Sequence, residues 1–346
     1  MKNMPSRQHG VTMLVPAFNE ASSIADTIIS LQNQSRPPES IIVIDDFSTD
    51  ATGEIALALG ATVVRPPRNT GSKAGAQNFA LPLVRTEFCM AIDADTVLAP
   101  DSVEKIMASI ETSDAAAACG FVLPRHVRTI WERGRYIEYL FAFTFYKQVQ
   151  DHYCRPTISS GCFSVYRMTV LNEIGGWSTR TMAEDVDLTW TLYDRGYGVR
   201  FVPEAVSYPI EPESLHFMGK QLRRWSHGFL QNVRVHWRAV LRQPYLRTSV
   251  AVGLFDALVA SFGYLLVVPA LAILLHPAFL LIYVIDLPAI AVPVLAKAAQ
   301  RGETLRALVS LPCFIVLRCL NAVYLMRAAW AEFVLGRPLL VYEKGH

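Results

Sequence analysis

Charged residues are scarce in this chain of 346 residues, because Asp, Glu, Lys and Arg together make up 18% while hydrophobic residues reach 52%. Soluble proteins carry roughly 25% charged residues, so this composition does not predict an ordinary soluble protein. A chain this apolar is also not expected to be disordered. The 32 basic and 30 acidic residues leave a formal charge of +2, which gives no reason to expect a nucleic acid as partner.

Two further absences concern cysteine spacing and the N-terminus. The 6 cysteines form neither a C-x-x-C pair nor a metal-finger pattern, so we interpret them as buried thiols in a reducing compartment. The apolar run near the N-terminus covers only Val11–Val15, which is too short for the central region of a signal peptide. We therefore expect any catalytic part to lie in the cytoplasm.

The two common nucleotide-phosphate fingerprints are also missing. Residues 69–78 read Asn-Thr-Gly-Ser-Lys-Ala-Gly-Ala-Gln-Asn, which fits neither G-x-G-x-x-G nor G-x-x-x-x-G-K-[ST]. The missing glycine fingerprint argues against a dehydrogenase. Glycines and a lysine ahead of a helix can still approach a phosphate closely, so this loop remains a candidate phosphate contact.

What the first 125 residues do contain is an alternation of strand and helix patterns. Short apolar runs typical of strands lie at 11–15, 41–44, 61–64, 88–92 and 115–123. Helical apolar spacing separates them, which predicts a mostly parallel sheet with helices on both faces and a ligand beyond the carboxyl ends of the strands. The aromatic stretch 129–150 is interpreted either as a helix on that sheet or as an acceptor-contacting or membrane-surface helix.

The C-terminal third holds the long apolar runs. Ala257–Leu275 carries no charged residue, and at about 1.5 Å per residue it spans roughly 28 Å, close to the hydrocarbon thickness of a bilayer. Two weaker runs follow, one containing Asp286 and one containing Arg318, which is costly in lipid unless it faces protein or water. We predict transmembrane segments at about 252–275, 278–297 and 306–327. The alternative is the core of a second soluble domain.

The basic residues predict an orientation. Several arginines precede the first segment and others lie between the second and the third, whereas the connection 275–279 contains neither Lys nor Arg. This bias places the N-terminal domain in the cytoplasm. The C-terminal tail would then be outside if the third segment crosses, but its own basic residues argue against that, so a re-entrant or surface-lying third segment stays open.

Acidic residues follow two of the predicted strands. Asp93 and Asp95 come directly after 88–92, and side chains two apart on an extended segment point the same way. Their hard oxygens suit Mg²⁺ or Mn²⁺, although acidic turns after strands are common. Asp45 and Asp46 follow 41–44, and Ser48, Thr49 and Asp50 come next. This cluster is interpreted either as a helix N-cap or as acceptors for a bound nucleoside, and the two interpretations can apply to different members.

Two polar groups lie further along the chain. Glu184 and Asp185 could be solvated loop acids or catalytic carboxylates. Gln221-Leu-Arg-Arg224-Trp225 precedes the apolar region and combines an arginine for phosphate with a flat ring for stacking. As an isolated pentapeptide it would more often be an interfacial anchor.

The order of these features resembles that of the family 2 glycosyltransferases, in the membrane-bound branch that includes cellulose, chitin, hyaluronan and poly-N-acetylglucosamine synthases. The resemblance covers about residues 10–240 by motif. It implies a nucleotide-sugar-binding (GT-A-like) α/β fold at 1–235 in the cytoplasm. A membrane region would follow at 236–346, with an interfacial helix and two or three transmembrane segments.

The resemblance also implies roles for individual side chains. The segment beneath the nucleotide matches Pro16, Asn19 and Glu20. Asp46 matches the acid that contacts uridine, and Lys73 matches the loop lysine near the nucleotide. Asp93 matches the acid near the sugar or ribose, and Asp95 matches the metal ligand. The general base matches Asp185 beside Glu184, and the acceptor and pyrophosphate motif matches Gln221, Arg224 and Trp225. The Thr of the family's Thr-Glu-Asp motif is Ala183 here.

These roles predict a metal-dependent, inverting transfer of a sugar, with Mg²⁺ or Mn²⁺ as cofactor, from a UDP-linked or other nucleotide sugar to a hydroxyl of a growing glycan. Processive synthases usually carry membrane helices before the catalytic domain, and none is predicted here. Transfer of a single sugar to a lipid carrier, a glycolipid or a protein is therefore the alternative enzyme. A non-catalytic membrane adaptor is the alternative of another class.

Overall fold

The computed structural model describes residues 10–339, which group by their contacts into two compact units. Unit 1 comprises residues 10–121, 159–178 and 196–209, and unit 2 comprises residues 122–158, 179–195 and 210–339. The units do not divide at residue 235, so the separation into a catalytic and a membrane domain stays a prediction. Two predictions lie partly outside the described residues, namely the signal-peptide argument on residues 1–9 and the position of the tail 340–346.

Unit 1 is built on one mixed sheet. Its strands are β1 (Val11–Ala17), β2 (Ser40–Asp45), β3 (Thr62–Val64), β4 (Phe88–Ile92), β5 (Thr96–Leu98), β6 (Ala117–Val122), β7 (Phe163–Arg167) and β8 (Val199–Pro209), in the order β3-β2-β1-β4-β7-β6-β8-β5. The pairs β1–β2, β1–β4 and β2–β3 are parallel. The pairs β4–β7, β6–β7 and β5–β8 are antiparallel.

The parallel strands are apolar throughout because both faces of the sheet are covered. Buried side chains such as Met13, Val43 and Phe88 form its core. The helices of this unit are α1 (Ile24–Gln32), α2 (Thr52–Ala58), α3 (Lys73–Ala80), α4 (Ser102–Glu111) and α7 (Met168–Ile174). The α/β class and the parallel arrangement of the first four strands are confirmed, but β6 runs antiparallel to β7 because the chain returns to the sheet through residues 163–167.

Unit 2 is helical. Its helices are α5 (Ile130–Phe141), α6 (Lys147–His152), α8 (Glu184–Asp194), α9 (Leu215–Val235), α10 (Trp237–Arg242), α11 (Pro244–Phe255), α12 (Val268–Leu274), α13 (Leu287–Gln300) and α14 (Thr304–Ala329). Wide π turns join or extend them at Ala142–Tyr146, Asp256–Ala260, Gly263–Val267 and Trp330–Val334, and a 3₁₀ stretch covers Pro277–Val284.

Helix α5 occupies the aromatic stretch for which the sequence left three environments open. Thr129 and Glu132 form a reciprocal capping box that begins the helix. In the next turn, a Cβ on Gly134 would lie 2.9 Å from the carbonyl oxygen of Cys313 and 3.0 Å from Cβ of Leu317. Glycine at 134 therefore lets α5 pack closely on α14.

Three helical stretches of unit 2 are long and apolar enough to cross a membrane by length and composition, and they are Pro244–Leu274, Pro277–Gln300 and Thr304–Val334. They contain the three segments predicted from the sequence, apart from Leu275. Arg318, the costly charge of the third stretch, donates to both oxygens of Asp286 at 2.8 Å and also contacts the hydroxyl of Tyr264. Tyr264, Asp286 and Arg318, one residue from each of the three stretches, thus form a polar cluster. The arginine therefore faces protein.

Candidate active site

Asp46 follows β2 and is held by the loop that precedes α3. Both of its carboxylate oxygens accept hydrogen bonds from Thr70, one from the backbone N–H and one from the hydroxyl, each at 2.8 Å. The Asn69 side chain donates to the Asp46 carbonyl at 2.8 Å. Gly75 lets this loop lie against the first turn of α3, since a Cβ there would be 2.9 Å from Cβ of Thr70. Asp46 is therefore a buried, oriented carboxylate.

The segment after β1 is fixed to the segment after β2. Asn19 has a positive φ of 55°. Its backbone N–H donates to the Ser48 hydroxyl at 3.0 Å, while its side-chain oxygen accepts the backbone N–H of Thr49 at 2.8 Å. Glu20 is buried, and its carboxylate accepts the Ser23 hydroxyl at 2.6 Å. Pro16 lies within β1 itself, so all three predicted residues of this segment lie on or next to the end of that strand.

The aspartates at and after the end of β2 accept different hydrogen bonds. Asp45 accepts the backbone N–H of Ser48 at 2.8 Å, and Asp50 accepts the backbone N–H of Thr52 at 3.1 Å at the beginning of α2. Burial acts to raise the pKa of Asp50, but the hydrogen bonds that its carboxylate accepts from the Thr52 hydroxyl and from backbone N–H groups lower it. The interpretation as helix-start acceptors therefore applies to Asp50, and Asp46 is left for the second interpretation.

Lys73 connects the α3 loop to the acids after β4. It is the first residue of α3, and it forms an ion pair with Asp93 and donates to the Gly161 carbonyl at 2.9 Å. Only 11% of the lysine side chain is exposed, against 35% of Asp93. Asp95, two residues further, accepts the Thr96 hydroxyl at 3.2 Å. The sequence predicted each of these residues but not that Lys73 and Asp93 pair with each other.

Asp93 and Asp95 also bear on the predicted metal. Within residues 10–339, no group of three or more His, Cys, Asp or Glu side chains could hold a metal ion. Mg²⁺ and Mn²⁺ do not need such a group, because one or two carboxylates complete their coordination with substrate phosphates and water. Residues 94 and 95 form a turn, closed by a hydrogen bond from the Thr96 N–H to the Asp93 carbonyl at 3.1 Å, rather than the extended segment that the sequence predicted. Asp93 and Asp95 nevertheless supply two hard carboxylates, which fits that requirement.

In unit 2, Glu184 and Asp185 form the first turn of α8, and both are partly buried. Asp185 accepts the backbone N–H of Val186 at 2.9 Å. The N-cap position is Ala183, which offers no side-chain cap. Its carbonyl instead accepts the side-chain amide of Asn232 at 3.1 Å. Asn232 on α9 thus fixes the turn that presents the two acids, and no motif in the sequence pointed to this role.

Two positions after Asp185, Asp187 lies in a different environment. It is fully buried, and it accepts two hydrogen bonds from Arg180, at 2.8 and 2.6 Å, and one from His236 at 2.7 Å. Burial alone would raise its pKa, but the bonds from His236 and Arg180 outweigh it and lower the pKa of Asp187 to about 2. Asp187 is therefore a structural anion that anchors α8.

The last predicted motif lies on α9. Gln221 and Trp225 both contact the buried Arg135 of α5, whose guanidinium donates to the Gln221 side-chain oxygen at 2.6 Å and stacks over the Trp225 ring at 4.6 Å from its centroid. Arg224 is partly buried on the same helix. The structure thus brings Gln221 and Trp225 together through a residue that the sequence did not predict.

Each compact unit therefore carries its own subset of the predicted site residues. Unit 1 holds the group Pro16, Asn19, Glu20, Asp46, Lys73, Asp93 and Asp95, and unit 2 holds Glu184, Asp185, Gln221, Arg224 and Trp225. Thr70 and Arg135 are the partners that sequence reasoning missed. Thr70 lies in the loop 69–78 that had been singled out, whereas Arg135 carried no signal beyond its place in an aromatic helix.

Comparison with known proteins shows which proteins the chain resembles. The family model described as "Glycosyl transferase family 2" matches residues 12–175. The poly-beta-1,6-N-acetyl-D-glucosamine synthases of Staphylococcus epidermidis and Staphylococcus aureus (strain COL) are each 27% identical to the chain, over 66% and 63% of its length. These alignments cover 56% and 54% of the two synthases, so the chain spans about half the length of the curated relatives it matches.

Solved structures bear on the fold. The mannosyltransferase PcManGT from Pyrobaculum calidifontis, solved with GDP-Man and Mn²⁺, matches 94% of this chain and 87% of its own with a TM-score of 0.62 at 19% identity. S. aureus TarS 1–349 in complex with UDP matches 93% and 91% with a TM-score of 0.51 at 15% identity. The predicted GT-A-like fold is confirmed.

The family match over residues 12–175 and the GT-A-like fold together make the chain similar to glycosyltransferases. Residues 12–175 match the model of family 2 of these enzymes, and the curated relatives that the chain resembles are named as poly-beta-1,6-N-acetyl-D-glucosamine synthases.

Proposed function

We propose that the protein is an inverting, metal-dependent glycosyltransferase that moves a sugar from a nucleotide sugar to a hydroxyl of a growing glycan at the membrane. The observation that carries the proposal is the loop 69–73, which joins two acids. Thr70 binds Asp46 after β2, and Lys73 pairs with Asp93 after β4. Because β2 and β4 flank β1 in parallel, both acids follow strand ends at one edge of the sheet, where α/β proteins bind their ligands.

We assign the binding of the nucleotide-sugar donor to the residues of this edge. Asp46 offers buried carboxylate oxygens for a nucleoside, Lys73 offers a cation for the phosphates, and Asp93 offers acceptors for a sugar or ribose hydroxyl. Asp95, with Asp93 beside it, would hold Mg²⁺ or Mn²⁺. When bound, such an ion neutralises negative charge on a leaving diphosphate.

We assign proton transfer and acceptor contacts to residues of unit 2. Asp185, with Glu184 beside it, takes the proton of the acceptor hydroxyl, a role that requires a carboxylate accessible to substrate. Arg224 offers a guanidinium for diphosphate oxygens, which arginine binds in a bidentate manner. Gln221 and the Trp225 ring contact the acceptor sugar by hydrogen bonding and stacking.

The names of the relatives suggest the first donor and acceptor to test. The curated relatives are named as synthases of a polymer of N-acetylglucosamine, so UDP-N-acetylglucosamine is the donor we propose. Transfer of one sugar to a lipid carrier, a glycolipid or a protein is the second candidate. We propose the three apolar helical stretches as the membrane part, with the region before them on the cytoplasmic side.

The test is a donor screen with purified protein in detergent, in the presence of Mg²⁺ or Mn²⁺. Release of nucleoside diphosphate from a radiolabelled nucleotide sugar is measured, and the labelled product is separated by size. A ladder of products is the expected result, and a single band would favour the second candidate. Absence of release with every donor would contradict the proposal and favour the non-catalytic adaptor.

A further inference from the structure

Arg135 is a completely buried arginine that belongs to none of the predicted motifs. Its side chain is 0% exposed, and it lies in the middle of α5. It forms an ion pair with Glu138 one turn further along α5 and lies 3.5 Å from the carboxylate of Glu211. A buried guanidinium is costly unless it is paired, so this arginine is held by two acids.

The Gln221 amide is oriented at both ends by this group. Its oxygen accepts from Arg135 at 2.6 Å, and its nitrogen donates to Glu211 at 3.3 Å. The other oxygen of Glu211 accepts the Tyr139 hydroxyl at 2.8 Å. The amide oxygen faces a donor, Arg135, and the amide nitrogen faces an acceptor, Glu211. In the flipped amide the nitrogen would face the arginine donor and the oxygen would face the carboxylate, so neither hydrogen bond could form. Gln221 therefore has one orientation.

The Trp225 ring is oriented by the same guanidinium. Trp225 lies one helical turn after Gln221, and the central carbon of the Arg135 guanidinium is 4.6 Å from its ring centroid. The tryptophan is still 37% exposed. A planar guanidinium stacked on an indole fixes the plane of the ring, which a lysine ammonium cannot do while also donating to an amide and a carboxylate.

We infer that Arg135 is a positioning residue for acceptor use. It touches neither sugar nor phosphate in this scheme, but it fixes the Gln221 amide and the Trp225 ring, through which α9 contacts the acceptor. The inference rests on the proposed function, in which those two side chains bind the acceptor. It predicts that a change at Arg135 weakens acceptor use while donor binding is retained.

The experiment uses the full chain in detergent with the substitution Arg135→Lys, which keeps the charge. Two quantities are measured, namely the affinity for UDP by calorimetry and the KM for a β-1,6-linked N-acetylglucosamine oligomer in transfer from UDP-N-acetylglucosamine. The matched control is Arg133→Lys, a conservative change at a partly buried arginine of the same helix. We expect the KM of R135K to rise about tenfold, the scale of one net hydrogen bond, with UDP affinity and the control unchanged.

A second comparison separates positioning from general structure. If Arg135 acts partly through Gln221, adding R135K to Gln221→Ala should raise the KM by less than R135K does in the wild type, because only the contact with Trp225 is then left to lose. Should R135K fail to fold, as judged by its thermal midpoint, the double variant Arg135→Met with Glu211→Gln replaces it. This variant also neutralises Glu211, the buried one of the two acids, whereas the side chain of Glu138 is 28% exposed.

The outcomes are distinguishable. An active wild type whose R135K variant keeps the wild-type KM, or loses UDP affinity as strongly as acceptor affinity, would overturn the inference alone. Full additivity with Gln221→Ala would do the same. A wild type that transfers no sugar would overturn the proposed function, and the inference with it.

Discussion

At the scale of single residues, two aspartates of one helical turn have opposite surroundings. Asp187 is fully buried and bound by Arg180 and His236, whereas Asp185 is partly exposed and its carboxylate accepts a backbone N–H next to it. A carboxylate already bound by two side chains is poorly placed to accept a proton from a substrate. Its two partners therefore make Asp187 an anchor, and Asp185 stays the base that we propose.

The first prediction concerns Asp187→Asn. The folded-state pKa of Asp187, about 2, lies below its ordinary value of 3.8, so its ionic stabilisation is complete above pH 4 and is lost as the pH falls towards 2. The difference corresponds to about 2 kcal/mol. We expect the variant to have a lower thermal midpoint at pH 7 and a smaller decrease between pH 5 and pH 2 than the wild type. Equal slopes in detergent melting curves would contradict this.

The second prediction concerns Asp185→Asn, which removes the proposed base while keeping the size of the side chain. We expect transfer to fall by at least about 10²-fold, the scale of general-base catalysis. The thermal midpoint should remain that of the wild type. The matched control is Asp194→Asn at the exposed last residue of the same helix, which should keep full activity. Wild-type turnover by folded D185N would exclude it as the base.

The sequence located single residues better than their partners. Asp46, Lys73 and Asp93 stand out because acids after strands and a lysine in a glycine loop are local signals. Thr70 binds Asp46 from a distant position along the chain, and Arg135 binds Gln221 from another. Such pairs are set by how segments pack, which no local spacing encodes, so they could not be predicted.

At the scale of elements, the parallel half of the sheet was predictable and the antiparallel half was not. Strands β1, β2 and β4 are apolar on both faces, which is the pattern of a covered parallel sheet. Strand β6 runs in the same direction as β4, because both are antiparallel to β7, which lies between them in the sheet. Residues 163–167 were not recognised as a strand, so the antiparallel return was missed.

The third prediction tests the close packing of α5 on α14. Alanine at Gly134 would place a methyl group 2.9 Å from a backbone oxygen of α14, so we expect Gly134→Ala to lower the thermal midpoint and Gly134→Val to lower it further. Gly263→Ala is the matched control, because nothing lies within 4 Å of the added Cβ. In a helix, alanine is otherwise favoured over glycine. A midpoint for G134A at or above that of G263A would contradict the packing.

At the scale of the whole molecule, composition and its distribution carried the strongest prediction. The scarcity of charge is concentrated in the three apolar stretches, where many large side chains such as Ile273 and Leu281 are exposed. Exposed apolar surface of this extent suits a lipid environment. The sequence predicted these stretches because hydropathy is a local property, but it could not predict that Arg318 pairs with Asp286, which lies at the beginning of another helix.

The fourth prediction concerns the orientation in the bilayer. The basic residues place the end of the second stretch on the side of the N-terminal region and its beginning on the opposite side. His276 and Gln300 are exposed and polar at these two ends, so they form a matched pair for replacement by cysteine. In inside-out vesicles of bacterial inner membrane, a membrane-impermeant maleimide should label Gln300→Cys above the parent background and leave His276→Cys at that background. Right-side-out vesicles should give the reverse.

Each outcome of that labelling has a physical meaning. Labelling of both cysteines from the same side would mean that the second stretch does not cross, because a crossing helix separates its two ends by the thickness of the bilayer. Labelling of Gln300→Cys only in right-side-out vesicles would mean that the stretch crosses with the opposite orientation. That orientation would place the N-terminal region outside the cell, away from the cytoplasmic nucleotide sugars on which the proposed reaction depends. We therefore propose that the basic residues at and around the connection of the second and third stretches, Lys297, Arg301 and Arg306, set the side on which the donor is used.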